Sequence, residues 1–227
     1  MEIWAVLSQK GGAGKTTIAL HLAVSAMKAG RTVLVADLDP QQSAVKWANI
    51  RDSDSPKVVP CVLPDLSKLL TGAAKRADLA IVDTSPRADR DSIEICRRAQ
   101  LVVVPVRPSL WDVVALEETM RLIELARQTS KTVILLNAVA TRTSEGEEAA
   151  GLLSQNKKLL KTWIGDRVDI RRAIANGMAV TEFASSSRSA AEMTALYEEI
   201  SQHRRLLNEL EERIARGWAG QGRSAAG

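Results

Sequence analysis

Lys10-Gly11-Gly12-Ala13-Gly14-Lys15-Thr16-Thr17 decides how this chain of 227 residues is read. An apolar run, 3–7, leads into it, and a helical pattern, 18–29, leaves it. Strand, glycine-rich turn and helix in that order are the context in which such a turn binds phosphate. Glycines lack a Cβ, so the backbone can curl tightly and aim successive N–H groups inward. The helix that follows offers unpaired N–H groups and the positive end of its dipole to the same spot. Gly11, Gly12, Ala13 and Gly14 then form the cradle, with Thr17 at its edge. Lys15 reaches the outer phosphates, and the Thr16 hydroxyl can bind Mg²⁺. A turn that carries two lysines by chance has little folding rationale, because the lysines repel each other unless an anion lies between them.

Outward from that turn, strand-like and helix-like stretches alternate. This predicts an α/β fold, a mostly parallel twisted sheet with helices on both faces. Further strands are expected at 32–36, 57–62, 79–83, 101–105 and 132–136. Helices are expected at 16–29, 41–50, 64–76, 90–98, 112–128, 146–161 and 189–216. One domain is expected over 1–216, with a frayed Gly/Ala-rich tail at 217–227.

In such sheets ligands sit beyond the carboxyl ends of the strands. Asp37-Leu38-Asp39-Pro40-Gln41 follows the second strand directly. Two carboxylates near a phosphate site repel each other and the phosphates unless a cation or water separates them. A solvated Asp-Pro turn is the alternative. Leu79-Ala80-Ile81-Val82-Asp83 is an apolar strand ending in a carboxylate, the Walker B pattern, which can hold Mg²⁺ through water.

Composition bounds the rest. Net charge is +4, and aromatics make up 3% of the chain, so the core must be aliphatic. Residues 151–227 hold 12 Lys/Arg against 9 Asp/Glu, while residues 1–150 hold 19 against 18. The excess gives mild support for a polyanion partner. Cys61 and Cys96 lack metal-ligand spacing and read as reduced thiols. No apolar run would span a bilayer, and a strand pattern that begins at once predicts no leader. His21 reads as a packing residue of the first helix. Lys157, Lys158 and Lys161 suit the C-terminal dipole of the helix at 146–161. In the last helix Met193, Leu196, Ile200, Leu207, Leu210 and Ile214 keep helical spacing. One apolar face can dock on the core, while the stretch from Leu207 can pass beyond it and pair with another chain.

Gln9 stands where the pattern G-x-x-x-x-G-K-[ST] has its first glycine, and Lys10 precedes the glycine pair. Lys10-Gly-Gly-x-Gly-Lys15-Thr-Thr resembles the deviant P-loop of the ParA/MinD family of dimeric ATPases. Asp37–Gln41 resembles that family's switch I, D-x-D-P-Q. Residues 104–112 resemble its V-P-V-x-P-S-x-x-D stretch, and Gly177, Val180 and Glu182 its C-terminal pattern. Thr84-Ser85-Pro86-Arg87 departs from the D-x-P-P expected at switch II. The resemblance is to the short ParA type of partition ATPase, which has no N-terminal DNA-binding domain.

That resemblance implies ATP and Mg²⁺ as cofactors and hydrolysis of ATP to ADP and phosphate, weak alone and stimulated by a partner. It makes Lys10, Lys15 and Asp39 catalytic: Lys10 acts across a twofold dimer, and Asp39 positions the attacking water. Asp37 joins Thr16 and Asp83 in the Mg²⁺ shell. Asn137 contacts adenine, although a turn-forming Asn reads almost as well. Arg167, Arg171 and Arg188 hold DNA backbone without sequence preference, with solvated surface charge as the alternative for each. The implied partners are a second copy with ATP bound, non-specific DNA and a small centromere-binding ParB-type protein. The implied location is cytoplasmic and nucleoid-associated. Membrane attachment of the MinD kind needs a basic amphipathic C-terminus, which the Gly/Ala/Ser tail does not offer. A MinD-like regulator of cell division or polarity is the nearest alternative. A dethiobiotin-type synthetase would need a second set of polar residues, and an iron–sulfur ATPase would need paired cysteines in glycine-rich loops.

Overall fold

The computed structural model describes residues 1–86, 89–141, 143–154 and 158–221. Its first half runs β1 (Glu2–Val6), α1 (Lys15–Lys28), β2 (Val33–Asp37), α2 (Ser43–Asn49), β3 (Lys57–Pro60), α3 (Leu63–Ala73) and β4 (Leu79–Asp83). Then come α4 (Asp89–Arg98), β5 (Leu101–Val106), α5 (Leu110–Leu125), β6 (Thr132–Leu136), α6 (Glu145–Leu153), α7 (Val168–Ala175), α8 (Val180–Phe183) and α9 (Arg188–Gln221). The six strands form one parallel sheet in the order β3-β2-β4-β1-β5-β6. The α/β expectation is therefore met.

β2, β4, β5 and β6 are buried along their whole length. Helices cover both sheet faces, so the strands read as continuous apolar runs rather than alternating ones. Alternate residues still serve opposite faces. Trp4, Leu79 and Ile81 pack with Ile18, Leu20, Met193, Leu196 and Ile200 on the α1 and α9 side. Ala5, Ala80 and Val82 pack with Leu66, Ile95, Leu116 and Ile123 on the other. The order of connection reverses at β1: the chain moves outward to β2 and β3, returns to β4, then crosses to β5 and β6. A crevice at such a reversal is the usual ligand site, and the loop after β1 opens into it. In the register of β2 with β4, Asp37 stands directly opposite Asp83.

The helix expected at 146–161 is shorter than its sequence suggests. α6 stops at Leu153, and Leu159 instead pairs in parallel with Ile134 at the outer edge of β6. Ile134 N–H donates to Lys158 O, and Leu160 N–H donates to Ile134 O. The open backbone of β6 thus outcompetes local helix propensity. Lys158 and Lys161 consequently lie off the helix whose dipole they were expected to serve, and Lys157 lies outside the described residues, as does Arg87. α9 continues to Gln221, into the stretch expected to fray, and residues 222–227 lie outside the described ones. Arg204, 6% exposed, ties α9 to Glu2 at 2.8 Å. Past that point Leu206, Leu210 and Ile214 are more than half exposed.

Candidate nucleotide site

The turn between β1 and α1 uses glycine where only glycine fits. Gly12 and Gly14 have φ of 77° and 94°. A Cβ on Gly14 would lie 2.2 Å from Asn137 Nδ2, so conformation and space both exclude a side chain there. α1 has no side-chain cap and no acidic residue in its first turn, so its leading N–H groups are left for an anion. Lys15 is buried, and its Nζ donates to Lys10 O at 3.4 Å. Burial lowers its pKa, opposed by the charges of Asp83 and Asp39. Lys10 is exposed and its side chain has no partner among the described residues. The two lysines therefore differ in kind, one inside the cradle and one on its rim.

Gln9 accounts for the missing first glycine. It is buried, its backbone N–H donates to Thr119 Oγ1 at 3.2 Å, and its amide donates to Ser92 Oγ at 3.4 Å. The side chain pins the entry of the loop to α4, which a glycine could not do, while the backbone N–H ties it to α5.

The three carboxylates occupy distinct environments. Asp83 is fully buried, and neither of its oxygens has a hydrogen-bond partner among the described residues. Burial pushes its pKa up to about 7, with Asp37 and Asp39 adding to the rise and the nearby Thr16 hydroxyl and Lys15 opposing it. An orphaned buried carboxylate beside a hydroxyl fits a hard cation with oxygen ligands, so Thr16 and Asp83 suit Mg²⁺. Asp37 is also buried, but its oxygens serve the backbone. Oδ2 accepts from Ala44 and Val45 N–H at 3.0 Å each, capping α2, and Oδ1 accepts from Asp39 N–H at 3.1 Å. Burial raises the Asp37 pKa, and these three N–H groups oppose the rise. Its first task is thus to shape the loop that carries Asp39, and only Oδ1 keeps room for a metal-bound water. Asp39 is half-buried, with Oδ1 accepting from Gln41 N–H at 2.9 Å.

A cavity of about 370 Å³ adjoins the loop, lined by Gly14, Thr17, Arg107, Asn137, Ile170 and Arg171 among others. Asn137 donates from Nδ2 to Ala13 O at 2.8 Å, so one amide N–H is spent on holding the loop. It still faces the cavity. Arg107 lies in the 104–112 stretch without having been singled out, and Ile170 and Ile174, whose helical spacing presents an apolar wall, were not expected at all.

The three arginines expected to hold DNA are not equivalent. Arg167 is half-buried and its guanidinium binds Glu192 at 2.6 Å, which keeps its pKa raised. Arg171 pairs with Asp166 and opens toward the nucleotide-side cavity. Arg188 is 78% exposed and touches Glu192 at 3.2 Å. Arg167 and Arg188 share a second cleft with Arg172, Asp169 and Phe183. Arg172 is exposed and unpaired among the described residues, and spacing alone did not single it out.

Two buried contacts brace the site from behind. Arg51 binds Glu182 at 2.6 Å and Gly177 O at 2.9 Å, and lies over the Trp47 ring. His21 lies under α8: Nδ1 meets Thr17 O at 2.7 Å and Nε2 accepts from Val180 N–H at 3.1 Å. That pairing fixes the neutral ring with its proton on Nδ1. The packing role expected of His21 is what the fold shows.

Residues 4–180 match the CobQ/CobB/MinD/ParA nucleotide binding domain family. The chain belongs to that family. Among its relatives is the maintenance of carboxysome distribution protein A of Halothiobacillus neapolitanus, 29% identical over 196 residues, which cover 83% of this chain and 90% of that one. Another is the sporulation initiation inhibitor protein Soj of Bacillus subtilis, 23% identical, with 88% and 98% covered. The fold is shared with the septum site-determining protein MinD of Pyrococcus horikoshii, solved with Mg-ADP. The TM-score is 0.73 and the identity 17%, with 88% of this chain and 95% of that one covered.

Proposed function

We propose that this chain is a ParA-type ATPase of partition. ATP binding closes two copies face to face, the dimer holds DNA without sequence preference, and a partner-stimulated hydrolysis step opens it again. One observation carries this: a buried Lys15 and an unpartnered, exposed Lys10 bracket the same glycine turn. On this reading the exposed cation on the rim serves phosphates brought by another subunit, while Lys15 serves its own.

The residues divide the work. The cradle and Lys15 hold the triphosphate, and Asn137 keeps the loop open while facing the base. Thr16 and Asp83 would hold Mg²⁺, with Asp37 reaching it only through water. Bound there, Mg²⁺ supplies positive charge to offset that of the phosphates. Asp39 orients the attacking water from a loop that Asp37 holds in shape. Lys10 adds charge to the transferring phosphoryl group only when the dimer forms. Arg172 and the largely exposed Arg188 give the dimer its phosphate contacts, whereas Arg167, held closer to the Glu192 it shares with Arg188, and Arg171 must first leave Glu192 and Asp166.

Lys10→Ala tests the trans role. The variant is expected to bind ATP as a monomer with near-normal affinity, while dimerisation and stimulated hydrolysis fail. An ATPase that remains dimeric and partner-responsive would refute it. The Halothiobacillus neapolitanus relative favours a second reading, in which the cargo moved over DNA is a carboxysome-like body rather than a plasmid or chromosome. Both need DNA binding by the ATP form, and identification of the adaptor's cargo separates them. A MinD-like regulator predicts ATP-dependent pelleting with anionic liposomes and no DNA mobility shift. Among the described residues no helix is long and apolar enough to cross a membrane.

A further inference from the structure

Three buried hydrogen-bond donors line one cavity and have no partner among the described residues. They are the indole N–H of Trp4 in β1 and, on α9, the Ser201 hydroxyl and Nη1 of Arg204. Trp4 is 1% exposed and Arg204 6%. The cavity measures about 240 Å³ and lies between α9 and the start of β1, the end of that strand away from the nucleotide loop. Ser201 and Arg204 are three residues apart, which puts both on one face of the helix. The rest of the Arg204 guanidinium is engaged. Its Nε donates to Glu2 at 2.8 Å, and Nη2 lies 3.6 Å from Glu211, which also holds Lys131. Glu2 takes Arg31 on its other oxygen at 2.8 Å. Arg31 and the exposed Arg205 line the cavity too, and Arg205 has no ion pair among the described residues. Three guanidinium groups therefore face the cavity against the single carboxylate of Glu2.

We propose that this cavity binds a small tetrahedral oxyanion of the phosphate or sulfate type. The site is independent of the dimer and the DNA contact proposed above. Indole and guanidinium N–H groups donate and cannot accept, so their partner must be an acceptor. Leaving such donors buried without one costs stability. A single water has two lone pairs, too few for three donors, and it leaves the excess positive charge where it is. A tetrahedral dianion offers an oxygen to each donor and offsets that excess. Trp4 and Arg204 lie too deep for the backbone phosphate of a duplex, which makes the ligand a small ion rather than DNA. Held here, the ion joins β1 to α9 just before the helix leaves the core at Leu206.

Proton–nitrogen correlation spectra of the chain saturated with Mg·ADP test the site, because bound nucleotide keeps added phosphate off the P-loop. The chain has five tryptophans, and the indole signal missing from Trp4→Phe is that of Trp4. Sodium phosphate or sodium sulfate should move this signal and saturate it, with a Kd of about 1 mM or tighter. Ser201→Ala should weaken binding about tenfold and Arg205→Gln about threefold. Neither residue serves the tie between Arg204 and Glu2, so the other indole signals and the melting temperature without oxyanion should stay at wild-type values. A shift that fails to saturate by about 10 mM, or that sodium chloride reproduces at equal ionic strength, would overturn the proposal. So would wild-type affinity in both variants. A Trp4 signal that answers to a duplex oligonucleotide and not to the free ions would overturn it as well, by naming DNA as the occupant.

Discussion

At the scale of single residues, the site is built from groups held in states they would not choose in water. His21 is the plainest case. Burial drives its pKa down to about 4, against weaker opposing contributions from the Thr17 carbonyl and Glu182. A histidine depressed in the folded state contributes stability that is complete above its ordinary value of 6.5. That contribution is lost as pH falls toward 4, on the order of 3 kcal/mol in all. The urea midpoint of the wild type should therefore fall across this window, and His21→Asn should fall less steeply there. Parallel pH profiles would show that other groups carry the acid sensitivity. Residues of this kind were only partly legible beforehand. Lys15, Thr16 and Asp83 announce themselves by type and spacing, since phosphate and Mg²⁺ chemistry admits few substitutes. Gln9 did not, because its partners Ser92 and Thr119 are brought to it by tertiary packing that no local pattern encodes.

Among the elements, α8 is held less by its own four residues than by what grips it. Arg51, 6% exposed at its side chain, reaches from the end of α2 to Glu182 and Gly177 O. Burial alone would raise the pKa of Glu182. Hydrogen bonds from Arg51 and the Ala179 N–H, with the charges of Arg51 and Lys28, outweigh it and leave the pKa lowered. Removing one partner strands the other, so Arg51→Ala should cost about 3 kcal/mol in urea unfolding. Removing both should cost less than the sum of the two single changes, and strict additivity would mean the pair does not act as a unit. The resemblance to the family's C-terminal pattern marked Glu182 and Gly177, but nothing pointed to Arg51, which lies more than a hundred residues away. Strand and helix types were legible almost throughout, because buried parallel strands are unbroken apolar runs. The expectation for the stretch after α6 failed because a sheet edge was in need of hydrogen bonds, and the short helices α7 and α8 were not expected at all.

For the whole molecule, the proposed DNA contact rests on the charge left most open to solvent. Arg171 pairs with Asp166, and Arg167 and Arg188 share Glu192, but Arg188 is mostly in solvent and Arg172 is free of ion pairs among the described residues. Arg188→Ala should weaken binding of the ATP form to random duplexes equally for every sequence. It should also flatten the dependence of log affinity on log salt by about one phosphate contact per subunit. An unchanged slope would move the DNA surface elsewhere on the dimer. From sequence, net charge pointed to the C-terminal third but could not say which cations were already spoken for.

Asp37 and Asp83 face each other because β2 and β4 pair in one register and no other. Slipping either strand by a single residue would turn one carboxylate to the far side of the sheet. No loop movement could restore the lost neighbour. If the proposed Mg²⁺ role holds, metal uptake would report on strand alignment, and a refolding chain should gain it only once β2 and β4 have paired in this register.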